Sequence, residues 1–374
     1  MLRRVPPASL RAAVFRRWPV IVTALSALAL GAFLWRNDLD GMWQSLATAD
    51  PVAVTSALVL FVGHHVVRAA RWRMLLAHLH DCGRWLPLRA MTVGVAINNV
   101  APAKAGHFGR AHMISAQVPI GRVAMGSTFL LEALFDGLLV LAFIGVAVAF
   151  VPVGPEIQSS AAGFAVFMLL VLGLAGMVAT GRGPTQLLQR PLRATTARLP
   201  AHVRNAANGS GQQLQDGAAA LRSRRRVVEV AITSVVAYGL LAWSFFLLAR
   251  GLGIQLSFAE AIALVAVANL ATALPGAGGG IGTFEVMTAH AVDAMGVSDA
   301  SAAAYAVALH AMIIVPITLL GDPLDRPEQP QPPQADGQRD GGIGRGRSLR
   351  AGPGPCVRDS ASGRVAHGSP AALL

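Results

Sequence analysis

VAPAKAGHFGR at 100–110 and LPGAGGGIGTFE at 274–285 decide how this chain folds, because each interrupts a long apolar run with proline and glycine. An interior proline lacks the N–H that a helix needs, and glycine admits backbone angles closed to other residues. The interrupted runs, 90–118 and 258–296, are otherwise apolar. Lipid supplies no hydrogen bonds, so broken backbone at membrane depth must be buried in protein or line a polar cavity. Each motif therefore predicts a helix–break–helix segment within a membrane protein.

Composition places the chain in a bilayer. Of 374 residues, 54% are hydrophobic and 13% charged, and the mean hydropathy is +0.53. A soluble domain carries roughly 25% charged residues, so too little charge is available here to cover a water-facing surface. The 31 basic residues, among which Lys104 is the one lysine, exceed the 19 acids by 12. Most of this charge lies in short connectors between apolar runs, with no basic face carrying interleaved aromatics. That pattern speaks for topology and anionic lipid headgroups, and against a nucleic-acid partner. Cys82 and Cys356 form neither a CxxC nor a Cys/His spacing, so no disulfide framework or zinc site is implied. No cofactor or metal is expected.

A span needs about 20 mostly apolar residues. Six runs qualify: 18–35, 51–67, 124–150, 161–181, 227–249 and 300–320. The first follows five arginines, is long and lacks a small-residue cleavage site, and so reads as a retained signal anchor. Arginine counts orient the rest. Segment 68–89 holds Arg68, Arg71, Arg73, Arg84 and Arg89 against Asp81, and loop 182–226 holds nine arginines against Asp216. Both are then cytoplasmic, together with the basic N-terminus 1–17, while 36–50 and 151–160 are external. Run 90–118 must leave the cytoplasm and return to it, as a re-entrant hairpin bent near 102–106. Run 258–296 dips from the other side and bends near 275–282. The expectation is all-α: a polytopic helix bundle over 18–321 with six full spans and two re-entrant hairpins. One hairpin from each side is the arrangement of an inverted repeat, and Asn98-Asn99…Pro102-x3-Gly106 echoes Asn269…Pro275-x3-Gly279. The protein is expected in the plasma membrane with its N-terminus cytoplasmic. Residues 322–374 are rich in Pro, Gly and Arg without apolar periodicity. They read as a disordered tail, or as the product of a shifted reading frame; both stay open.

The chemistry gathers at the breaks. Half-helix N-termini attract anions, and Lys104, His107 and Arg110 lie within eight residues of Pro102. With N–H groups of the Gly106 turn they would suit a phosphate-bearing headgroup, Arg110 as bidentate clamp and Lys104 as point charge; three cations snorkelling from a shallow loop is the plainer alternative. In the second motif Gly280 permits close backbone approach. Glu285 is an intramembrane carboxylate whose natural partners are Arg110 or Lys104. Glu132 and Asp136, at i and i+4, share one helix face and would be costly against lipid; they read as a carboxylate pair lining the cavity, salt-bridged to Arg110 or relaying protons, with a hydrated Glu132 near the cytoplasmic end of a long span as the plainer alternative. Arg68, Arg71 and Trp72, directly after span 51–67, read as an interfacial anchor with an aromatic-belt residue.

In order along the chain, Arg71-Trp72-x-x-Leu75-Leu76, Asn98-Asn99…Pro102-x3-Gly106-x3-Arg110, Glu132-x3-Asp136 and Pro275…Gly279-Gly280-Ile281-Gly282-x2-Glu285 resemble the lysylphosphatidylglycerol synthase transmembrane region family, the flippase-like membrane proteins. The resemblance covers about 50–320. It implies lipid translocation, with Lys104, Gly106, His107, Arg110, Glu132, Asp136, Asn269, Pro275, Gly280 and Glu285 as the expected substrate-binding set. His107, Ala133 and Leu309-His310 depart from the family pattern, which commonly has an acid, an arginine and Tyr-Arg there. The implied partner is a membrane lipid, an anionic phospholipid or a polyprenyl phosphate, and an envelope-biosynthesis enzyme could join it. Lipid-headgroup modification and a non-catalytic scaffold are the rival functions. The chain as read carries no soluble aminoacyltransferase domain, which argues against lysyl transfer by the chain itself.

Overall fold

The computed structural model describes residues 23–101, 105–150, scattered helical positions between 162 and 173, residue 217, 219–273 and 278–324. All lie in one unit, Met1–Pro327; the second unit, Glu328–Leu374, falls outside the described residues. Lys104, Pro275, most of the expected span 161–181, the loop as far as 216, the N-terminus 1–17 and the tail beyond 324 fall outside them as well.

The described residues are helical and contain no strand. The helices are α1 (Thr23–Arg36), α2 (Leu39–Ala47), α3 (Pro51–Leu76), α4 (Trp85–Val100), α5 (Gly106–Ser115), α6 (Arg122–Phe150), α7 (Arg224–Gly251), α8 (Phe258–Ala273), α9 (Thr283–Asp293) and α10 (Asp299–Leu324). Short 3-10 turns cover Ala219–Arg222 and Gly278–Gly280. Four helices are long and apolar enough to cross a membrane: α3, α6, α7 and α10. Their starts follow from local chemistry. Asp50 accepts a hydrogen bond from Val52 N at 2.9 Å and Pro51 opens α3, while Ser223 caps α7 through Arg226 N at 3.4 Å.

α3 corrects the expected boundary at 67. The helix continues to Leu76, so Arg68, Arg71 and Trp72 belong to the bundle rather than to a connector, and Arg71 and Trp72 are fully buried. An interfacial anchor would leave them at the lipid–water boundary.

Both breaks are present as helix–break–helix pairs. α4 and α5 fold back antiparallel: Asn98 Oδ1 accepts from Gly106 N at 2.8 Å, Gly94 faces Gly106 and Arg110, and Ile97 faces Gly109. The Gly106 and Gly94 backbones approach so closely that a Cβ on Gly106 would overlap the Gly94 carbonyl. α8 and α9 pack together across the second break, where Gly279, Gly280 and Gly282 all have positive φ. The two breaks meet. A Cβ on Gly279 would sit 3.4 Å from the Asn99 carbonyl, and Asn99 Nδ2 reaches Thr318 Oγ1 of α10 at 2.9 Å. The paired asparagines of the internal echo nonetheless do different work, since Asn269 donates to Val265 O in its own helix at 2.7 Å.

Three apolar clusters hold these pieces. One joins α3, α6, α7, α8, α9 and α10 around Phe245, Leu264, Phe284 and Tyr305. A second packs α3–α6 around Trp72, Leu75, Met91 and Met125. The third seats α1 and α2 on the small-residue face of α10, at Ala303, Ala304 and Ala306. Small residues let backbones come close where burial of apolar side chains alone gives little drive for helices to associate. Gly106→Ala should therefore lower the thermal unfolding midpoint in detergent, an overpacking cost of about 1–3 kcal/mol. Gly145→Ala, whose methyl would meet no neighbouring atom within 4 Å, should not.

Candidate functional site

α3, α5 and α6 bring five charged side chains to one place. Arg68 and Arg71 sit three residues apart on α3, on one face; Glu132 and Asp136 face them from α6; Arg110 arrives from α5. Glu132 is the hub. Its Oε1 lies 3.0 Å from Arg68 Nη2 and 3.6 Å from Arg71 Nη2, and its Oε2 lies 2.8 Å from Arg110 Nη2. Asp136 Oδ1 is 2.7 Å from Arg71 Nη1, and Oδ2 is 3.6 Å from Arg68 Nη2. Arg71 Nη1 also donates to Ser234 Oγ of α7 at 2.9 Å.

Burial grades across the cluster. The Arg71 and Glu132 side chains are 0% and 3% exposed, whereas Arg68 and Asp136 keep 27% and 20%. The Arg68–Asp136 edge is thus the less buried side of the cluster. At the opposite end Arg110 is held flat by aromatic rings, its guanidinium carbon 4.0 Å from the Phe129 centroid and 4.9 Å from that of Trp72. Trp72 is fixed in turn by Nε1 donating to Thr128 Oγ1 at 3.2 Å.

Two imbalances distinguish this cluster from a closed structural salt bridge. Three arginines face two carboxylates, leaving one positive charge over. Hydrogen-bond geometry within the cluster is also incomplete on both sides: Nε of Arg68, Arg71 and Arg110 and Nη2 of Arg71 on the donor side, and Glu132 Oε2 and Asp136 Oδ1 on the acceptor side, although these two oxygens lie within ion-pair distance of arginines. Guanidinium donors left unmatched in a buried setting are costly unless an anion meets them.

The expected site residues divide. Arg110, Glu132 and Asp136 come together as described. His107 lies beside Arg110, but its Nδ1 faces Arg110 Nη2 at 3.0 Å; a guanidinium only donates, so that nitrogen accepts. The Gly106 N–H, expected to meet a phosphate, is engaged by Asn98. Glu285 does not take Arg110, which pairs with Glu132; its Oε1 lies 2.7 Å from His310 Nδ1 on α10, and its other expected partner, Lys104, lies outside the described residues. Gly280 sits in the second break, where its carbonyl accepts from Thr283 Oγ1 at 2.9 Å. Asn269 stays within α8. Arg68 and Arg71 read from the sequence as an interfacial anchor, with Arg71 also able to reach into the site, and both join the cluster; their signal is the i, i+3 spacing in a helix that does not stop at 67, while His310 pairs with Glu285 instead.

The family model described as Lysylphosphatidylglycerol synthase TM region matches residues 20–321. The chain belongs to this family. The match spans α1 through almost all of α10, so both breaks and the whole arginine cluster fall inside the family's domain. With its four apolar spanning-length helices, this member is a multi-pass membrane protein. A search of curated proteins finds no match.

Glu132→Gln should be the most damaging single change in the cluster, costing about 3–5 kcal/mol by leaving three arginines with one carboxylate. Adding Arg110→Gln to it should recover part of the loss, because the two side chains are coupled. Thermal unfolding of the purified variants in detergent reads both effects; strictly additive losses would show that Arg110 and Glu132 do not depend on each other.

Proposed function

We propose that this family member binds an anionic lipid headgroup, of a phospholipid or a polyprenyl phosphate, at the arginine cluster and carries it across the plasma membrane. The observation that carries the reading is the surplus positive charge with unmatched guanidinium donors, buried in a membrane bundle and less buried along the Arg68–Asp136 edge. A single phosphodiester offers the one negative charge that three arginines facing two carboxylates leave unmatched, and its oxygens can accept from the free Nε groups. Glu132 and Asp136 hold the arginines apart and oriented, so that the headgroup completes the network instead of competing with a finished one.

In this reading the helix–break–helix pairs α4–α5 and α8–α9 are re-entrant hairpins from opposite faces, joined to six full spans. Their contact at Asn99 and Gly279 favours an inverted arrangement with the breaks near mid-depth. Withdrawing Arg68 and Arg71 into the bundle leaves Arg73, Arg84 and Arg89 in or near the connector that follows α3, still outnumbering Asp81. The N-terminus therefore remains cytoplasmic in the proposed topology.

In proteoliposomes, the protein should equilibrate a fluorescent anionic phospholipid between leaflets faster than protein-free vesicles do. Arg110→Gln should slow that about ten- to a hundredfold, the value of a charge-assisted hydrogen bond of about 1.5–3 kcal/mol. Equal rates for both proteins, or a covalently altered lipid made by the purified chain, would contradict transport and favour headgroup chemistry.

A further inference from the structure

Away from the arginines, a second buried ionisable pair closes the second break. Glu285 and His310 have side chains only 8% and 5% exposed. Glu285 Oε2 accepts from Gly282 N at 2.7 Å, and Glu285 Oε1 lies 2.7 Å from His310 Nδ1. On its other side, His310 Nε2 lies 3.0 Å from the Gly279 carbonyl, and the imidazole stacks on Phe284 with centroids 4.3 Å apart. One imidazole thus bridges the carboxylate at the start of α9 and the backbone of the Gly278–Gly280 turn.

Proton counting makes this bridge specific. A backbone carbonyl only accepts, so Nε2 carries a hydrogen. The 2.7 Å contact between Nδ1 and Oε1 needs a hydrogen as well. It sits on Nδ1, giving an imidazolium beside a carboxylate, or on Glu285, giving a neutral acid donating to a neutral ring. Both forms hold one proton more than a neutral histidine beside an ionised glutamate. Remove that proton and one ring nitrogen presents a lone pair to an oxygen at hydrogen-bond distance, Nδ1 to Glu285 Oε1 or Nε2 to the Gly279 carbonyl according to the tautomer, so only one of the two links survives.

We propose that Glu285 and His310 together form a proton-binding site, and that the bound proton fastens the Gly278–Gly280 turn to α10. Three glycines with positive φ, at 279, 280 and 282, make this stretch poor in intrinsic order. Its position then depends on the bridge, on apolar contact with Ile314 of α10, on the Asn99 carbonyl of α4 and on α1, whose Ser26 carbonyl and Ala29 lie against Gly282. Proton loss breaks the polar bridge to α10 and leaves Ile314 and the contacts with α4 and α1.

From α1, α4 and α8 the groups recorded against the glycines are Ser26, Ala29, Leu30, Asn99 and Thr272, none of which titrates. On α9 itself His290 and Asp293 are exposed. On α10, Tyr305 donates to Phe245 O of α7, and on α2 Asp38 lies at Gly41, which meets Ala300 near the start of α10. The charged and imidazole groups of α3 are engaged elsewhere: His64 with Ala237, His65 with Thr92, and Arg68 and Arg71 with Glu132 and Asp136. A proton held between the two groups is kept on the acid side and given up as pH rises. This site involves no lipid and stands or falls independently of the anion reading.

Hydrogen exchange on the full chain in detergent tests it. Between about pH 6 and about pH 9, after correction for intrinsic exchange, peptides covering 278–293 should lose about tenfold or more of their protection, while peptides from α4 hold theirs. His310→Arg, which keeps a charged donor at every pH, should abolish the step. His290→Gln, which removes the exposed histidine of α9, should leave it intact. No step in the wild-type chain, the same step in His310→Arg, or its disappearance in His290→Gln would each overturn the proposal.

Discussion

Glu132 carries the constraint on which the rest of the structure depends. A carboxylate buried in a membrane bundle needs cations, and the cations it takes come from two other helices: Arg68 and Arg71 from α3, Arg110 from α5. Removing Glu132 leaves three arginines facing one carboxylate where water is scarce. The network therefore fixes the rotation of α3 about its axis, the depth of α5 in the first hairpin and the face that α6 presents. Ser234 brings α7 into the same arrangement through Arg71. Apolar packing around Trp72 and Met125 surrounds the cluster but does not choose its geometry, because lipid solvates apolar side chains as readily as protein does.

The two broken helices solve one problem with different chemistry. Interrupting a helix exposes N–H groups at the restart. At the first break Asn98 accepts from Gly106, and the close Gly94–Gly106 approach sets the hairpin's width. At the second, Glu285 reaches back to Gly282, and its remaining oxygen turns to His310. The first closure is neutral and permanent; the second includes a proton. Contact between Asn99 and Gly279 puts the two closures next to each other, so movement at one is felt at the other.

Local pattern made part of this legible. The Pro/Gly interruptions announced both breaks, the i, i+4 spacing of Glu132 and Asp136 announced a shared acidic face, and the ordered motifs announced the family. Partner choice is legible only in part: the sequence offers Arg110 to the Glu132–Asp136 face, and Arg110 does meet Glu132. Arg68 and Arg71 follow an apolar run, and an arginine that snorkels to the headgroups has the same sequence signature as one that turns inward; only α6, some 60 residues later, decides between them. Glu285 was matched with Arg110 because both flank a break, yet Arg110 lies nearer to Glu132, and His310 approaches Glu285 from a helix whose sequence reads as an uninterrupted apolar span. Lys104 and Pro275 lie outside the described residues and stay sequence expectations.

The central claim is that one surplus positive charge in the arginine cluster is matched by one lipid anion, and native mass spectrometry of the detergent-purified protein tests it most directly. The account predicts one anionic lipid retained per wild-type chain. Arg110→Gln, which balances two arginines against two carboxylates, should retain less, and Asp136→Asn, which adds a further unmatched positive charge, should retain more. Lipid occupancy that does not change across the three proteins would contradict it.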